Sequence, residues 1–266
     1  MKTFFAVSAI AIGVLGTQPA WAVATASATL SGVSYTLIDL NLTDGIAPAI
    51  TFSGQSSQTA ASSGGVFDFD SLAGWFTPLQ STAASGAGTA SGTITATSAN
   101  GSVSTTGTLV PGTSQFNYGY AYPMLANFTI TPNTGIIFTA NFTGTATTTV
   151  GRVGNNTEQA VAQGYLYLNL AETSGGQQFT GYRNVNASYV TSGNSYLGQT
   201  NSFAGAVQMS YANMAGSAVS GSMYAYAYAY TQSTLPVPEP QAWALMLAGL
   251  GGMCFMARRR RQQSNA

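Results

Sequence analysis

The stretch NFTITPNTGIIFTANF, residues 127–142, contains two runs of Thr, Ile and Phe separated by Pro132-Asn133-Thr134-Gly135. Proline, asparagine and glycine in such a short segment are typical of a turn. The β-branched and aromatic residues on both sides of the turn favour strands. The stretch therefore predicts a β-hairpin whose strands lie at 127–131 and 136–142.

Similar strand signals recur between residues 23 and 235. Alternation is clear from Leu30 to Leu42, and Ile50 and Phe52 indicate a second strand. Helical spacing of Leu and charged residues is missing, so we expect an all-β body built as an antiparallel β-sandwich. A β-solenoid is the alternative because of the low charge and the Gly, Thr and Asn content, although no fixed repeat is found. The later strands are expected at 160–172, 178–190, 204–211 and 219–232.

The segment from Ser81 to Gly107 is almost entirely Ser, Thr, Ala and Gly, and Ile94 and Val103 are its large apolar residues. Taken alone, this composition is typical of a flexible linker. In an exported β-protein it also fits exposed, Thr-rich strands. Both interpretations stay open, and we place no domain boundary here.

Charge is sparse, and it limits the function classes. Between Val23 and Val237 there are six acidic and two basic residues, which gives a net charge of −4. A weakly acidic body without a basic patch argues against nucleic-acid binding. Histidine is absent, which excludes Ser-His-Asp and Cys-His catalysis and the usual zinc sites. The single cysteine, Cys254, lies in the C-terminal apolar run. We therefore expect no catalytic residue, metal or cofactor, and a protein that is not an enzyme.

A tyrosine ladder is the sharpest local feature of the body. On a strand, its four tyrosines lie on one face and the intervening alanines on the other. We expect the ring side to pack in the core between two sheets or over neighbouring strands. The alternative is a glycan-binding platform, because aromatic rows stack on sugars and present hydroxyls. The candidate glycan-binding residues are Tyr224, Tyr226, Tyr228 and Tyr230, and Tyr118, Tyr120 and Tyr122 form a second ladder.

A short acidic–aromatic repeat occurs at Phe67-Asp68-Phe69-Asp70. Strand alternation predicts both phenylalanines inward and both aspartates outward. Two carboxylates are too few for the six to eight oxygen ligands of calcium, so a solvated face is the preferred interpretation. Acid–base hydrolysis of a glycan by two carboxylates is the competing enzymatic hypothesis.

Three consecutive segments form the C-terminus. Val237, Pro238, Glu239 and Pro240 form an extended polar segment, because proline fixes φ and lacks a backbone donor. The apolar run after it, with Gln241, predicts a transmembrane helix over 241–257, roughly 25 Å long at about 1.5 Å per residue. A basic membrane stop then consists of Arg258, Arg259, Arg260 and Arg261.

Residues 236–266 resemble the PEP-CTERM sorting signal of Gram-negative bacteria in the Pro-Glu-Pro, the apolar helix and the arginine cluster. The resemblance implies that the chain is an exosortase substrate, held transiently in the inner membrane and then moved to the cell surface or extracellular matrix. It also implies a link to extracellular polysaccharide, and hence to biofilm or floc structure. An ordinary membrane anchor that is never cleaved is the alternative.

The N-terminus predicts a secretory signal peptide over 1–22. Lys2 supplies the positive charge, Phe4 to Leu15 form the apolar region, and the small residues Ala20 and Ala22 flank Trp21 at the expected cleavage site. Fold arguments therefore apply to an exported Ser/Thr/Gly-rich β domain over 23–235.

Overall fold

The computed structural model describes residues 23–86, 88–106, 114–149, 158–170, 177–188 and 198–234. These ranges contain strands and no helix, so within them there is no helical segment able to cross a membrane. All the strands lie in one compact unit, Trp21–Pro236. The strands are β1 (Val23–Asp39), β2 (Ile50–Ser63), β3 (Val66–Ala73), β4 (Leu79–Ser85), β5 (Gly88–Ile94), β6 (Ser98–Thr106), β7 (Ser114–Ile130), β8 (Thr134–Thr148), β9 (Glu158–Leu170), β10 (Gln177–Ser188), β11 (Gln199–Asn213) and β12 (Val219–Thr234).

These strands form two six-stranded sheets. The first sheet has the order β11-β8-β1-β6-β5-β4, and the second has the order β10-β9-β12-β7-β2-β3. Every pair of neighbouring strands is antiparallel. The predicted all-β sandwich is confirmed, and the β-solenoid alternative is wrong. The predicted signal peptide (1–22) and C-terminal helix (241–257) lie outside the described residues.

The core between the sheets changes from large to small side chains along the strands. One part contains Phe128, Phe138, Phe142 and several leucines and isoleucines, all of them buried. The other part consists of eight alanines with Val103. Large side chains need a wide gap between the two sheets, whereas alanine and glycine allow the two backbones to approach each other closely. The sheets are therefore closest where the alanines lie.

The Ser/Thr/Ala/Gly segment forms part of this close approach and is not a linker. It folds as β4, β5 and β6, whose inward residues are buried. A side chain added at Gly92 would collide with the backbone carbonyl of Tyr120, and one at Gly101 would meet the carbonyl of Gly119. Small residues are required here because the opposite backbone leaves no space. The outward hydroxyls of the segment agree with the Thr-rich-strand interpretation.

The predicted hairpin over 127–142 is wrong, although its turn is present. Asn133 has a positive φ of 50°, and the chain reverses between Ile130 and Thr134. However, β7 pairs with β2 and β12, whereas β8 pairs with β1 and β11 in the other sheet. The segment is an arch between the two sheets. Turn chemistry is local, so it does not determine whether two strands pair or face each other across a core.

The alternation predicted from Leu30 to Leu42 also breaks in the middle. The register of β1 against β8 shifts between Ser31 and Ser34, where Gly32 has a φ of 61°. Leu30 is buried before this bulge, and Val33 and Leu37 pack against the core after it. Because a bulge inserts one extra residue, the side chains that follow it point to the opposite faces of the sheet from those that simple alternation would give. Ile38, which uninterrupted alternation would place on the same face as Leu30, is consequently 42% exposed.

Candidate functional site: a tyrosine face on the second sheet

The alanines of the ladder point into the core, and its tyrosines point outward. Ala225, Ala227 and Ala229 on β12 have no exposed surface, while the four tyrosines are half-buried. The predicted packing of these rings between the sheets is therefore wrong. The reason is the narrow gap, where even a Cβ at Gly101 would lie 3.1 Å from the backbone nitrogen of Ala229. The tyrosines instead pack over neighbouring strands, which the sequence analysis gave as the other possible packing of these rings.

Three neighbouring strands contribute to one continuous aromatic surface. In the register, Tyr230 lies opposite Tyr118 and Tyr228 opposite Tyr120 on β7. On the other side, Tyr226 lies opposite Tyr165 on β9. A bulge between Ala225 and Ala227 accommodates the irregular pairing beside Tyr122. We call this surface the tyrosine face, which consists of Tyr118, Tyr120, Tyr122, Tyr165, Tyr167, Tyr224, Tyr226, Tyr228 and Tyr230.

Ring stacking fixes the middle of the tyrosine face. Tyr224 stacks on Tyr167 with a centroid distance of 4.4 Å, and Tyr226 stacks on Tyr165 at 4.7 Å with only 8° between the ring planes. Tyr226 also contacts Tyr122 at 4.8 Å. Offset and edge-on aromatic pairs stabilise by about 0.5–1.5 kcal/mol each. The rings are therefore held in place by one another.

An open depression of about 390 Å³ lies within the tyrosine face. Its walls combine ring surface and phenol hydroxyls, and Gln163 adds an amide that can both donate and accept hydrogen bonds. Tyr120 and Tyr122 meet nearly at right angles, 81°, so the depression is lined by both ring faces and ring edges. None of its lining residues is charged. The lining residues are Tyr118, Tyr120, Tyr122, Gln163, Tyr226 and Tyr228.

Burial keeps these phenols neutral over a wide pH range. Desolvation, followed by repulsion from Tyr120 and Tyr224, raises the pKa of Tyr122 to about 12. Desolvation and then neighbouring tyrosines, Tyr230 first among them, raise the pKa of Tyr228 to about 12 as well. The pKa of Tyr226 is also raised, first by burial and then by Tyr165. The hydroxyls of Tyr122, Tyr226 and Tyr228 are therefore uncharged at any physiological pH.

These pKa shifts predict a loss of stability in alkali. A tyrosine ordinarily ionises near pH 10, so a raised folded-state pKa stabilises the protein fully below about pH 10, and that contribution is lost as the pH rises towards about 12. We expect the free energy of unfolding, measured by denaturant titration, to fall between these values. The variant with Tyr122→Phe and Tyr228→Phe should show a smaller fall. An equal fall in both proteins would show that Tyr122 and Tyr228 do not cause the loss of stability in alkali.

The acidic–aromatic repeat is oriented opposite to the prediction. Phe67 and Phe69 on β3 are 58% and 48% exposed, because they share the outer face with Ser62 and Ala60. Asp68 points the other way, and its Oδ2 accepts a hydrogen bond of 2.8 Å from the backbone N–H of Thr82 on β4. Within the described residues, no group of three or more His, Cys, Asp or Glu side chains could hold a metal.

Sequence reasoning missed the β9 part of the site. Tyr165, Tyr167 and Gln163 alternate with buried residues in the same period of two as the recognised ladders. The Tyr-x-Tyr pattern was a usable signal. The remaining predicted site residues lie outside the described residues, namely Ala20, Ala22, Val237, Pro238, Glu239, Pro240, Arg258, Arg259, Arg260 and Arg261.

Comparison with known proteins identifies the C-terminal segment. Residues 236–261 match the PEP-CTERM protein-sorting motif, which confirms the predicted resemblance and indicates an exosortase-targeted surface protein. A search of curated proteins gives no match. Among solved structures, vicilin from Capsicum annuum aligns with this chain at 7% identity, over 76% of this chain and 72% of the vicilin chain. The TM-score of this alignment is 0.10, which is too low to indicate a shared fold.

Proposed function

We propose that this chain is a non-enzymatic protein of the cell surface or extracellular matrix that binds extracellular polysaccharide through the tyrosine face. The observation that carries the proposal is the outward orientation of the tyrosines around the depression that contains Gln163. Exosortase targeting delivers the protein to the compartment where such polysaccharides lie. The body thereby contributes to biofilm or floc structure.

The chemistry of the tyrosine face suits a neutral glycan. Sugar rings combine apolar C–H surfaces with hydroxyl groups, and tyrosine combines an apolar ring with a hydroxyl that donates and accepts. The depression adds the Gln163 amide beside Tyr228, its register neighbour on β12. Because the lining is uncharged, recognition depends on stacking and hydrogen bonds. Binding should therefore depend little on salt, since there are no ion pairs to screen.

Extended polymers favour this geometry over small ligands. The tyrosine face spans β7, β12 and β9, so it offers more contact area than the depression alone. Ligand sites for small molecules usually bury most of their ligand in a deep pocket. A shallow surface instead suits a chain that contacts several rings in succession. The proposed ligand is accordingly a polysaccharide segment of several sugar units.

The direct test is the binding of the mature protein to the exopolysaccharide of its own producing organism. We expect retention on the immobilised polysaccharide at both low and high salt, without release of shorter sugars. Retention lost at high salt would indicate a polyanionic ligand and contradict the neutral-glycan proposal. Release of oligosaccharides would show an enzyme.

Processing of the tail gives a separate prediction. If exosortase cleaves near Pro238-Glu239-Pro240, the released protein lacks the apolar run and the arginine cluster. Mass spectrometry of the surface-released form should then find no peptide from residues 243–258. The same peptide should be present in cells that lack exosortase, which serve as the control. Its presence in released protein would support a permanent membrane anchor.

A further inference from the structure

The edge strand β3 exposes an unusual amount of apolar surface. Four of its eight residues are large apolar side chains with 46% to 58% exposure: Val66, Phe67, Phe69 and Leu72. Among the described strands, β3 pairs only with β2. Natural sheet edges are usually protected by charge, proline or shortness, because free backbone groups and apolar side chains invite another strand. The edge is therefore suited to an interface.

Charge selects which strand fits this edge. β3 carries Asp68 and Asp70, so two β3 strands paired with each other would bring like charges together. Strand β10, the opposite edge of the same sheet, carries Arg183. Opposite charges on neighbouring strands stabilise pairing, and like charges oppose it. The complementary partner of β3 is thus β10 of another copy.

Strand direction permits the same pairing. The second sheet has six strands with antiparallel neighbours throughout, so its two edges, β3 and β10, run in opposite directions. A second copy in the same orientation therefore presents β10 antiparallel to β3. This contact joins two different surfaces and leaves one of each free, so it can repeat from copy to copy, and it gives an open filament when the rotation between copies does not close a ring.

The first sheet offers a weaker contact on the same side. Its edge strand β4 has seven residues, and the backbone N–H of Thr82 within it is already bonded to Asp68. Strand β3 is consequently the edge available for addition on this side of the sandwich.

We propose that the body assembles with further copies of itself into a filament, in which β3 of one copy pairs with β10 of the next. The exposed phenylalanines of β3 then lie beside the neighbouring copy. Phe67 and Phe69 share a face with Tyr118 and Tyr120 through the register of β2, so the outer face of one copy continues directly onto the outer face of the next. Assembly does not depend on polysaccharide binding, and the two are measured separately.

The test uses the mature protein released from producing cells, in the absence of polysaccharide. Sedimentation velocity should show species that grow with concentration, and negative-stain electron microscopy should show filaments. Asp70→Arg should abolish both, because β3 would then carry a positive charge and β10 carries the positive residue Arg183. Arg183→Asp should do the same, and the double charge reversal should restore assembly. Asp70 is exposed, so its variant should melt at the unchanged temperature.

Two phenylalanine variants test whether assembly depends on the edge strand β3 or on exposed aromatic residues in general. Phe69→Lys on β3 should abolish the filaments. Phe116→Lys is the matched control, because Phe116 is equally exposed at 49% but lies on the internal strand β7. A wild-type protein that stays monomeric at all concentrations would overturn the proposal. So would equal effects of the two lysine variants, or a double charge reversal that fails to restore assembly.

Discussion

Replacing Gly92 by alanine is expected to destabilise the protein by about 3 kcal/mol, the upper end of the usual cost of overpacking. The new methyl group would meet the carbonyl oxygens of Tyr120 and Ala60, both of which are backbone atoms of the opposite sheet. Backbone cannot rotate away, so the two sheets must separate locally. A domain of this size should then melt about 10 °C lower, at roughly 2–4 °C per kcal/mol.

The control is the same substitution at Gly216, where an added Cβ meets nothing within 4 Å. Gly216→Ala should leave the melting temperature within about 2 °C of the wild type, since surface substitutions usually change stability by less than about 0.5 kcal/mol. Thermal unfolding followed by circular dichroism measures both. Equal melting temperatures for the two variants would show that β5 does not pack closely against the second sheet.

The variant with Tyr226→Ala and Tyr228→Ala is expected to lose polysaccharide binding while it remains folded. It removes two walls of the depression and the stacking of Tyr226 on Tyr165. Among the described residues, the variant loses four aromatic pairs. At the lower end of the usual range, about 0.5 kcal/mol for each half-exposed pair, the loss is about 2 kcal/mol, less than a typical stability of about 5–15 kcal/mol. Binding should weaken about tenfold or more, because aromatic residues at the centre of a site often contribute over 1 kcal/mol each.

Tyr35→Ala provides the matched control for this variant. Tyr35 is 43% exposed and contacts Phe52 and Phe138 at 5.6 and 5.9 Å, but it lies on β1 of the first sheet. Its loss should lower stability and leave binding unchanged. Affinity electrophoresis in gels that contain the polysaccharide, with melting curves for each variant, separates the two effects. Equal retention of the wild type, the double tyrosine variant and Tyr35→Ala would show that the tyrosine face does not bind the polysaccharide.

The sequence predicted the strands well and their arrangement less well. Strand positions depend on local residue types, so 160–172, 178–190 and 219–232 lie close to β9, β10 and β12. Pairing depends on distant partners. The segment with Pro132 therefore predicted a turn correctly and a hairpin wrongly. A two-residue period identifies two faces of a strand but not which of them is buried.

The candidate site could not be predicted because the two-residue period does not show which face of the tyrosine ladder is buried. A tyrosine ring removes more apolar surface from water than an alanine methyl group does, which would favour the tyrosines on the core side. The sheet opposite, however, presents Gly92 and Gly101 in the Ser/Thr/Ala/Gly segment, and its backbone approaches too closely for a ring. That segment and the ladder are more than a hundred residues apart in the chain. Only the fold brings them together and turns the tyrosines outward.

Oxidative footprinting of the mature protein, with and without the exopolysaccharide, tests the central proposal most directly. Mass spectrometry reports how far each tyrosine is modified by hydroxyl radicals. If the proposal holds, the polysaccharide protects Tyr120, Tyr122, Tyr226 and Tyr228 and leaves Tyr35 unprotected. Equal modification of the tyrosine face with and without polysaccharide, or protection of Tyr35 alone, would contradict it.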